Sequence, residues 1–158
     1  MVFIRHAAER VRTTNSARWA ALALAGSEVL DHAVEGAPLD AARIDVRGAA
    51  VLFPSREPAP LPSPTPATLV VLDGTWPQAR RMLQRIPQLR ALPRITLPGR
   101  AGERLRRPPM RGGMSTIEAV AAALELLGEA EAGGALEEVH RSAVLRGRAL
   151  RWAGRTGC

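Results

Sequence analysis

Five short apolar runs separated by stretches of helical pattern set the tightest constraint on what this chain can become. Val2 to Ile4, Val29 to Leu30, Ala49 to Phe53, Leu69 to Leu72 and Ile95 to Leu97 are the predicted strands. This alternation is that of an α/β domain with a largely parallel sheet, since parallel neighbours need a long crossover that a helix supplies. Leu69-Val70-Val71-Leu72 is the clearest of the five, a buried-type strand.

The intervening segments carry helix boundaries. Ser16 to Ala25 reads as a helix, with Asn15 or Ser16 offering a capping oxygen and Gly26 stopping it. Asp40 to Ile44 reads as a shorter helical turn. Trp76 to Ile86 starts after Thr75, carries Pro77 in the first turn where a missing N–H costs nothing, and stops at Pro87. Ile117 to Leu127 is an Ala/Leu helix ended by Gly128, and Ala135 to Arg151 makes a last one. Between Glu57 and Ala67 there are five prolines, which bars that stretch from a sheet ladder and makes it a stiff surface connection. Pro98 to Met114 reads as a long Arg-, Gly- and Pro-rich loop. The sequence contains no internal repeat.

The chain has 158 residues, which suits one domain, residues 1–158, with one core and one site. Its 22 basic residues are all arginine, and against 15 acidic ones they leave a net charge of +7. An Arg-rich solvated surface and a polyanion partner both account for that charge, the second because the planar guanidinium meets phosphate with two hydrogen bonds. Cys158 is the single cysteine, so neither an internal disulfide nor a zinc site of paired cysteines is expected. A reducing cytoplasm is the simplest compartment. No apolar run approaches the ~20 residues of a membrane span, and Met1 to Arg12 lacks the apolar core of a signal peptide. The expectation is therefore a protein without a membrane partner.

Four places hold residues that can carry chemistry. The run Leu69-Val-Val-Leu-Asp-Gly-Thr-Trp76 ends a strand in Asp73, turns at Gly74 and enters a helix at Thr75. Ligands of open α/β sheets collect at such carboxyl ends, yet Asp73 and Thr75 are equally explained as helix caps. Ser115-Thr116-Ile117-Glu118 matches a capping box, and its place after Gly112-Gly113 also suits a ligand loop. Arg104, Arg106, Arg107 and Arg111 are either a solvated charge run or a set of phosphate contacts. His6 and Glu9 are either an acid/base pair or a satisfied polar edge.

Taken in order, Phe3-Ile-Arg-His6 with Glu9, Asn15-Ser-Ala-Arg18, Leu52-Phe-Pro54, Asp73-Gly-Thr-Trp76, Arg104-Leu-Arg106 and Ser115-Thr-Ile-Glu118 resemble the DTW-domain family of tRNA-uridine aminocarboxypropyltransferases. The resemblance runs from about Phe3 to Gly128. Members commonly carry an N-terminal cysteine cluster for zinc, and this sequence begins after the place where that would lie, so no metal is expected. Asn15-Ser16 stands where Asn-Thr is usual, and Glu103 where a Tyr is expected before Arg104.

The resemblance implies a SPOUT-like fold whose C-terminal segment threads a trefoil knot, with S-adenosylmethionine held in the loops at Leu52 to Pro54, Asp73 to Trp76 and Leu97 to Thr116. It implies transfer of the 3-amino-3-carboxypropyl group from that donor to N3 of a tRNA uridine, leaving methylthioadenosine. Asp73 is then the group that removes the N3 proton, or a ligand of the donor's ammonium. Leu52, Pro54, Gly74, Thr75, Trp76, Leu97, Ser115 and Thr116 are the expected donor-binding residues, and His6, Arg18, Arg104, Arg106, Arg107 and Arg111 the expected RNA contacts. An RNA methyltransferase on the same fold and a non-catalytic RNA-binding module are the alternatives. A monomer is the starting expectation for the assembly.

Overall fold

The computed structural model describes residues 1–37, 39–55, 60–97 and 114–156, the side chains of 41 and 151–156 excepted. Its strands are β1 (Val2–His6), β2 (Glu28–His32), β3 (Ala49–Leu52), β4 (Thr68–Asp73) and β5 (Arg94–Ile95). They form one sheet in the order β2-β1-β4-β3-β5, and every neighbouring pair is parallel. All five predicted strands are thus present, each within a few residues of its expected bounds. The chain steps from β1 outward to β2, then crosses to build the other half, so strand order reverses at the β1–β4 junction. That junction is where an open parallel sheet leaves a crevice beyond its carboxyl ends.

The helices are α1 (Ser16–Ala23), α2 (Trp76–Arg85), α3 (Pro87–Arg90), α4 (Thr116–Leu126) and α5 (Ala130–Thr156), with single 3-10 turns at Ala7–Glu9 and Ala41–Arg43. Alternate residues of each strand bury on opposite faces. Val2, Ile4, Val51, Val70 and Leu72 face α2 and α3 through Ala79, Met82, Leu83, Ile86 and Leu89. Positions 79, 82, 83 and 86 follow the spacing of one helix face. Phe3, Ala50, Leu52, Leu69 and Val71 form the second core with Ala17 and Ala20 of α1, Ile117, Val120 and Leu124 of α4, and Leu136 of α5. Sheet and helices make three layers. Burying a side chain such as Phe3 or Ile117 contributes about 1.5–3 kcal/mol relative to exposure.

Two helix boundaries differ from expectation for identifiable reasons. Helix α1 stops at Ala23 rather than Ala25, because Leu24 adopts an extended backbone and packs its side chain on the core, while Gly26 takes its positive φ in the turn that follows. Helix α5 begins at Ala130, five residues before the predicted start, and runs through Gly133-Gly134. Glycine disfavours helix by about 1 kcal/mol, but a Cβ on Gly133 would lie 2.9 Å from the Ala121 carbonyl oxygen. The missing side chain lets α5 lie close against α4, and packing overrides propensity there.

The end of α4 follows expectation closely. Gly128 takes φ +91°, its N–H donates to the Glu125 carbonyl, and the Glu129 N–H donates to the Leu124 carbonyl at 2.8 Å. This is the paired Schellman pattern that closes a helix on a left-handed residue. Among the described residues no helix is long and apolar enough to cross a membrane.

Candidate functional site

The carboxyl edge of the sheet collects the polar residues. Asp73 ends β4 at the centre of that edge and is buried, with 5% of its surface exposed. Both of its oxygens are engaged by neutral donors. The Asn15 side-chain amide donates to Oδ2 at 2.6 Å, and the Thr116 hydroxyl donates to Oδ1 at 2.9 Å. Asn15 also accepts the Arg18 N–H on its own oxygen at 2.7 Å, so one side chain caps α1 and holds the carboxylate. Thr116 is the first residue of α4. The N-terminal ends of two helices therefore converge on one buried acid, where their free N–H groups and aligned dipoles favour negative charge.

Burial is the largest influence on Asp73 and raises its pKa above the ordinary value, opposed by the Asn15 and Thr116 hydrogen bonds and by the charges of Arg5 and Arg12. Arg5 lies between two acids in register, Asp31 on β2 and Asp73 on β4. It spends its side chain on Asp31, at 2.8 and 3.2 Å, which Arg10 also approaches at 3.4 Å. Arg12 pairs with the buried Glu9 at 3.2 Å. Among the described residues both cations that act on Asp73 are thus tied to other acids, and neither reaches it with an ion pair.

The other face of the same edge carries imidazoles. His6 and His32 are in register on β1 and β2, and their rings meet edge to face with centroids 6.4 Å apart. His32 Nδ1 is buried without a hydrogen bond, and the His32 pKa is lowered by burial first, then by His6 and Arg85. Toward β3, Phe53 and Trp76 are half-buried and meet edge to face at 6.2 Å.

The sequence-predicted residues fall in distinct places. His6, Leu52, Asp73, Gly74, Thr75, Trp76, Leu97, Ser115 and Thr116 all lie at or just beyond the carboxyl edge, as does the exposed Pro54. Arg18 is exposed on the first turn of α1. Arg104, Arg106, Arg107 and Arg111 lie outside the described residues. Ser115 spends its hydroxyl on Glu118 Oε2 at 2.6 Å, its N–H on the same oxygen at 2.8 Å, and caps the Glu118 N–H, so the capping box is formed. Its hydroxyl serves α4. The Thr116 hydroxyl serves Asp73.

Three contributors to the edge are understated by the sequence or silent in it. Asn15 reads there as a possible cap and as part of one motif block, with no tertiary partner, yet its amide spans 58 positions to reach Asp73. Gln78 goes unnoticed, although Thr75-x-x-Gln78 has capping-box spacing and the Thr75 N–H donates to Gln78 Oε1 at 2.7 Å. His32 sits one strand beyond the readable motifs. Among the described residues no group of three or more His, Cys, Asp or Glu side chains is arranged to hold a metal ion.

An all-parallel α/β sheet, covered by helices on both faces and with a buried carboxylate and an aromatic pair at its carboxyl edge, defines the class. The protein family model described as the DTW domain matches residues 1–146. The chain belongs to the DTW-domain family. It is 32% identical over 139 residues to tRNA-uridine aminocarboxypropyltransferase 2 of Drosophila melanogaster, a match covering 80% of this chain and 55% of that protein. The chain thus spans about half the length of this curated relative. No solved structure gives a significant match.

Proposed function

We propose that this chain transfers the 3-amino-3-carboxypropyl group of S-adenosylmethionine to N3 of a tRNA uridine. The observation that carries the reading is Asp73, a buried carboxylate at the strand-order reversal, held between two helix N-termini with its pKa raised by burial. The name of the Drosophila relative supplies the reaction class.

The donor set suits such a ligand. Phe53, Trp76 and Leu97 offer half-buried apolar surface for an adenine, beside Leu52, Pro54 and the Gly74-Thr75 turn. Asp73 offers an anion to an ammonium or a proton acceptor to a base. Ser115 and Thr116 contribute by shaping the start of α4 and by fixing Asp73, since their hydroxyls are already engaged. When bound, the sulfonium supplies an activated leaving group, so positioning carries much of the rate. The protein's task is to take the uridine N3 proton. A carboxylate of raised pKa is a better acceptor for a weak acid than an ordinary one, and each Asp73 oxygen has lone-pair capacity beyond its present bond.

His6, Arg18, Arg104, Arg106, Arg107 and Arg111 are proposed to contact the tRNA. Arg5 and Arg12 are paired elsewhere, so one of the arginines of 104–111 is the proposed partner of the donor's carboxylate. We further assign the fold to the SPOUT class with a C-terminal trefoil knot. Support comes from the chain leaving β3, β4 and β5 from one edge of the sheet, and residues 98–113 of the third loop lie outside the described residues. A cytoplasmic, monomeric protein completes the proposal.

Incubation with unmodified tRNA and donor labelled in the aminocarboxypropyl group, followed by digestion to nucleosides and mass spectrometry, tests the reading. A uridine heavier by the aminocarboxypropyl group is expected. A methylated nucleoside overturns it in favour of methyl transfer, and tRNA binding without any product overturns it in favour of a binding module.

A further inference from the structure

Hydrogen bonds around the Gly74-Thr75 turn determine which nitrogen of His6 carries the proton. The Thr75 N–H donates to Gln78 Oε1 at 2.7 Å, and the Thr75 hydroxyl donates to the same atom at 2.9 Å. A backbone N–H only donates, so the Gln78 amide must turn its oxygen to Thr75 and its NH2 group away. That NH2 nitrogen lies 3.3 Å from His6 Nδ1, and the Ala8 N–H reaches the same ring nitrogen at 3.2 Å. Two donors on Nδ1 require it to accept, which leaves the proton of the neutral ring on Nε2.

The ring is held from several sides. A Cβ on Gly74 would lie 3.4 Å from His6 Cβ and 3.1 Å from Gln78 Cβ and Oε1, so a side chain there would crowd both. His32 meets the ring from β2. Nε2 has no hydrogen-bond partner among the described residues, and His6 is only half-buried, at the end of the strand next to β4 and on the other face of the edge from the Asp73 side chain.

We infer that Gln78 is a positioning residue that fixes His6 in its Nε2–H form, and that His6 presents this N–H to a uracil carbonyl oxygen beside N3. The second half rests on the proposed tRNA-uridine reading. When uridine loses its N3 proton, negative charge spreads to the two flanking carbonyl oxygens. A donor fixed before the substrate arrives stabilises that charge without reorganisation. A donor at the 4-position also rejects cytosine, which places an amino group there and offers no acceptor.

Gln78→Glu is the discriminating variant. Glutamate at the third helical position keeps the bond from the Thr75 N–H and hence the helix cap, but turns an acceptor oxygen toward His6 Nδ1. The 158-residue chain, labelled with 15N, is expected to show His6 Nδ1 unprotonated and Nε2 protonated in long-range 1H–15N spectra, and Gln78→Glu to place a proton on Nδ1. With an unmodified tRNA transcript and S-adenosylmethionine, kcat should fall by about tenfold or more in Gln78→Glu and in His6→Phe, the worth of one hydrogen bond in the transition state. KM for the donor should hold, and the melting temperature of Gln78→Glu should fall by no more than the loss of the exposed Ala8 N–H bond to Nδ1 accounts for. A parent chain with its proton on Nδ1 overturns the tautomer, and a His6→Phe chain that transfers at the parental rate, or a Gln78→Glu chain that does so with its Nε2 unprotonated, overturns the contact. If the parent itself transfers nothing to the transcript, the activity reading fails and the uracil contact with it, while the spectrum still decides the tautomer.

Discussion

Asn15 and Asp73 are joined by a 2.6 Å hydrogen bond in which the Asn15 amide donates to a buried carboxylate, while its oxygen caps α1. Asparagine is the natural residue for this place. It offers a donor and an acceptor at opposite sides of one planar group, and serine or aspartate provides the cap without the outward NH2. Start of helix and position of the acid are thereby set by one side chain.

Replacing Asn15 by Ala should cost about 1 kcal/mol for the lost cap and a further ~1–3 kcal/mol for a buried acceptor deprived of a partner. Asn15→Asp keeps the cap but sets two carboxylates against each other, which raises their pKa values. Its stability should therefore be lowest at neutral pH and recover as pH falls and one acid takes a proton, whereas Asn15→Ala, which only removes a hydrogen bond that favours the ionised Asp73, should recover less. Urea unfolding of both variants at about pH 7 and about pH 4 separates them. Equal losses for Asn15→Asp at the two pH values would show that its carboxylate does not meet Asp73.

Asp73→Asn tests the acid itself. The folded pKa of Asp73 is raised, so over the window from the ordinary value of 3.8 up to the raised value the folded state binds more protons than the unfolded one. Stability conferred by the protonated form is then present below 3.8 and lost as pH rises through that window. The amide introduced by Asp73→Asn does not ionise. Its oxygen would accept from Asn15, and its NH2 would donate to a rotated Thr116 hydroxyl. The variant should match or exceed the parent in stability at neutral pH, with its advantage growing as pH rises from 3.8 through the raised pKa of Asp73. Transfer to tRNA should fall by at least about 100-fold if Asp73 removes the proton. Loss of donor binding, measured by calorimetry, would instead move Asp73 to the donor's ammonium group.

The two adjacent glycines of α5 should respond in opposite directions. A Cβ added at Gly134 would have nothing within 4 Å, so Gly134→Ala should gain up to about 1 kcal/mol from helix propensity. Gly133→Ala places a methyl group 2.9 Å from the Ala121 carbonyl oxygen and 3.0 Å from Glu125 Cγ. Forcing α5 off α4 should cost about 1–3 kcal/mol and outweigh the propensity gain. Thermal unfolding of the pair checks this, and a stabilised Gly133→Ala would mean that the helices separate without loss.

Particular residues show what the sequence can and cannot announce. Val70 and Val71 declare a strand because a sheet covered on both faces needs apolar side chains at successive positions. Gly128 and Pro87 declare helix ends because their backbone geometry is local. The carboxyl edge is legible through its order of motifs, and Asp73 at a strand end points to the crevice. Asn15 does not declare its bond to Asp73, since partners 58 positions apart leave no periodic trace. Gly133 misleads, because the reason for a glycine inside a helix is the carbonyl of a different helix. Thr75-x-x-Gln78 is present as a capping pattern, but the second use of that glutamine depends on where β1 lies.

The arginines at 104, 106, 107 and 111 carry the last prediction, made from sequence because they lie outside the described residues. Among the described arginines near Asp73, Arg5 is paired to Asp31 and Arg12 to Glu9, so the phosphate contacts must come largely from elsewhere. If these four guanidinium groups neutralise RNA phosphates, each Arg→Ala replacement releases fewer counterions on binding. The slope of log K against log salt should then become shallower by about 0.7 for each phosphate no longer neutralised on single strands, or about 0.9 on duplex as inferred from DNA. Arg104 and Arg106, which match the family pattern, should matter most. A replacement that instead weakens S-adenosylmethionine binding, with tRNA affinity kept, identifies the arginine that grips the donor's carboxylate. Filter binding of tRNA at two salt concentrations, paired with calorimetric titration of the donor, reads both. Unchanged tRNA affinity, salt slope and donor affinity in all four variants would reduce the run to solvated charge and move the RNA surface to the His6 and Arg18 side of the edge.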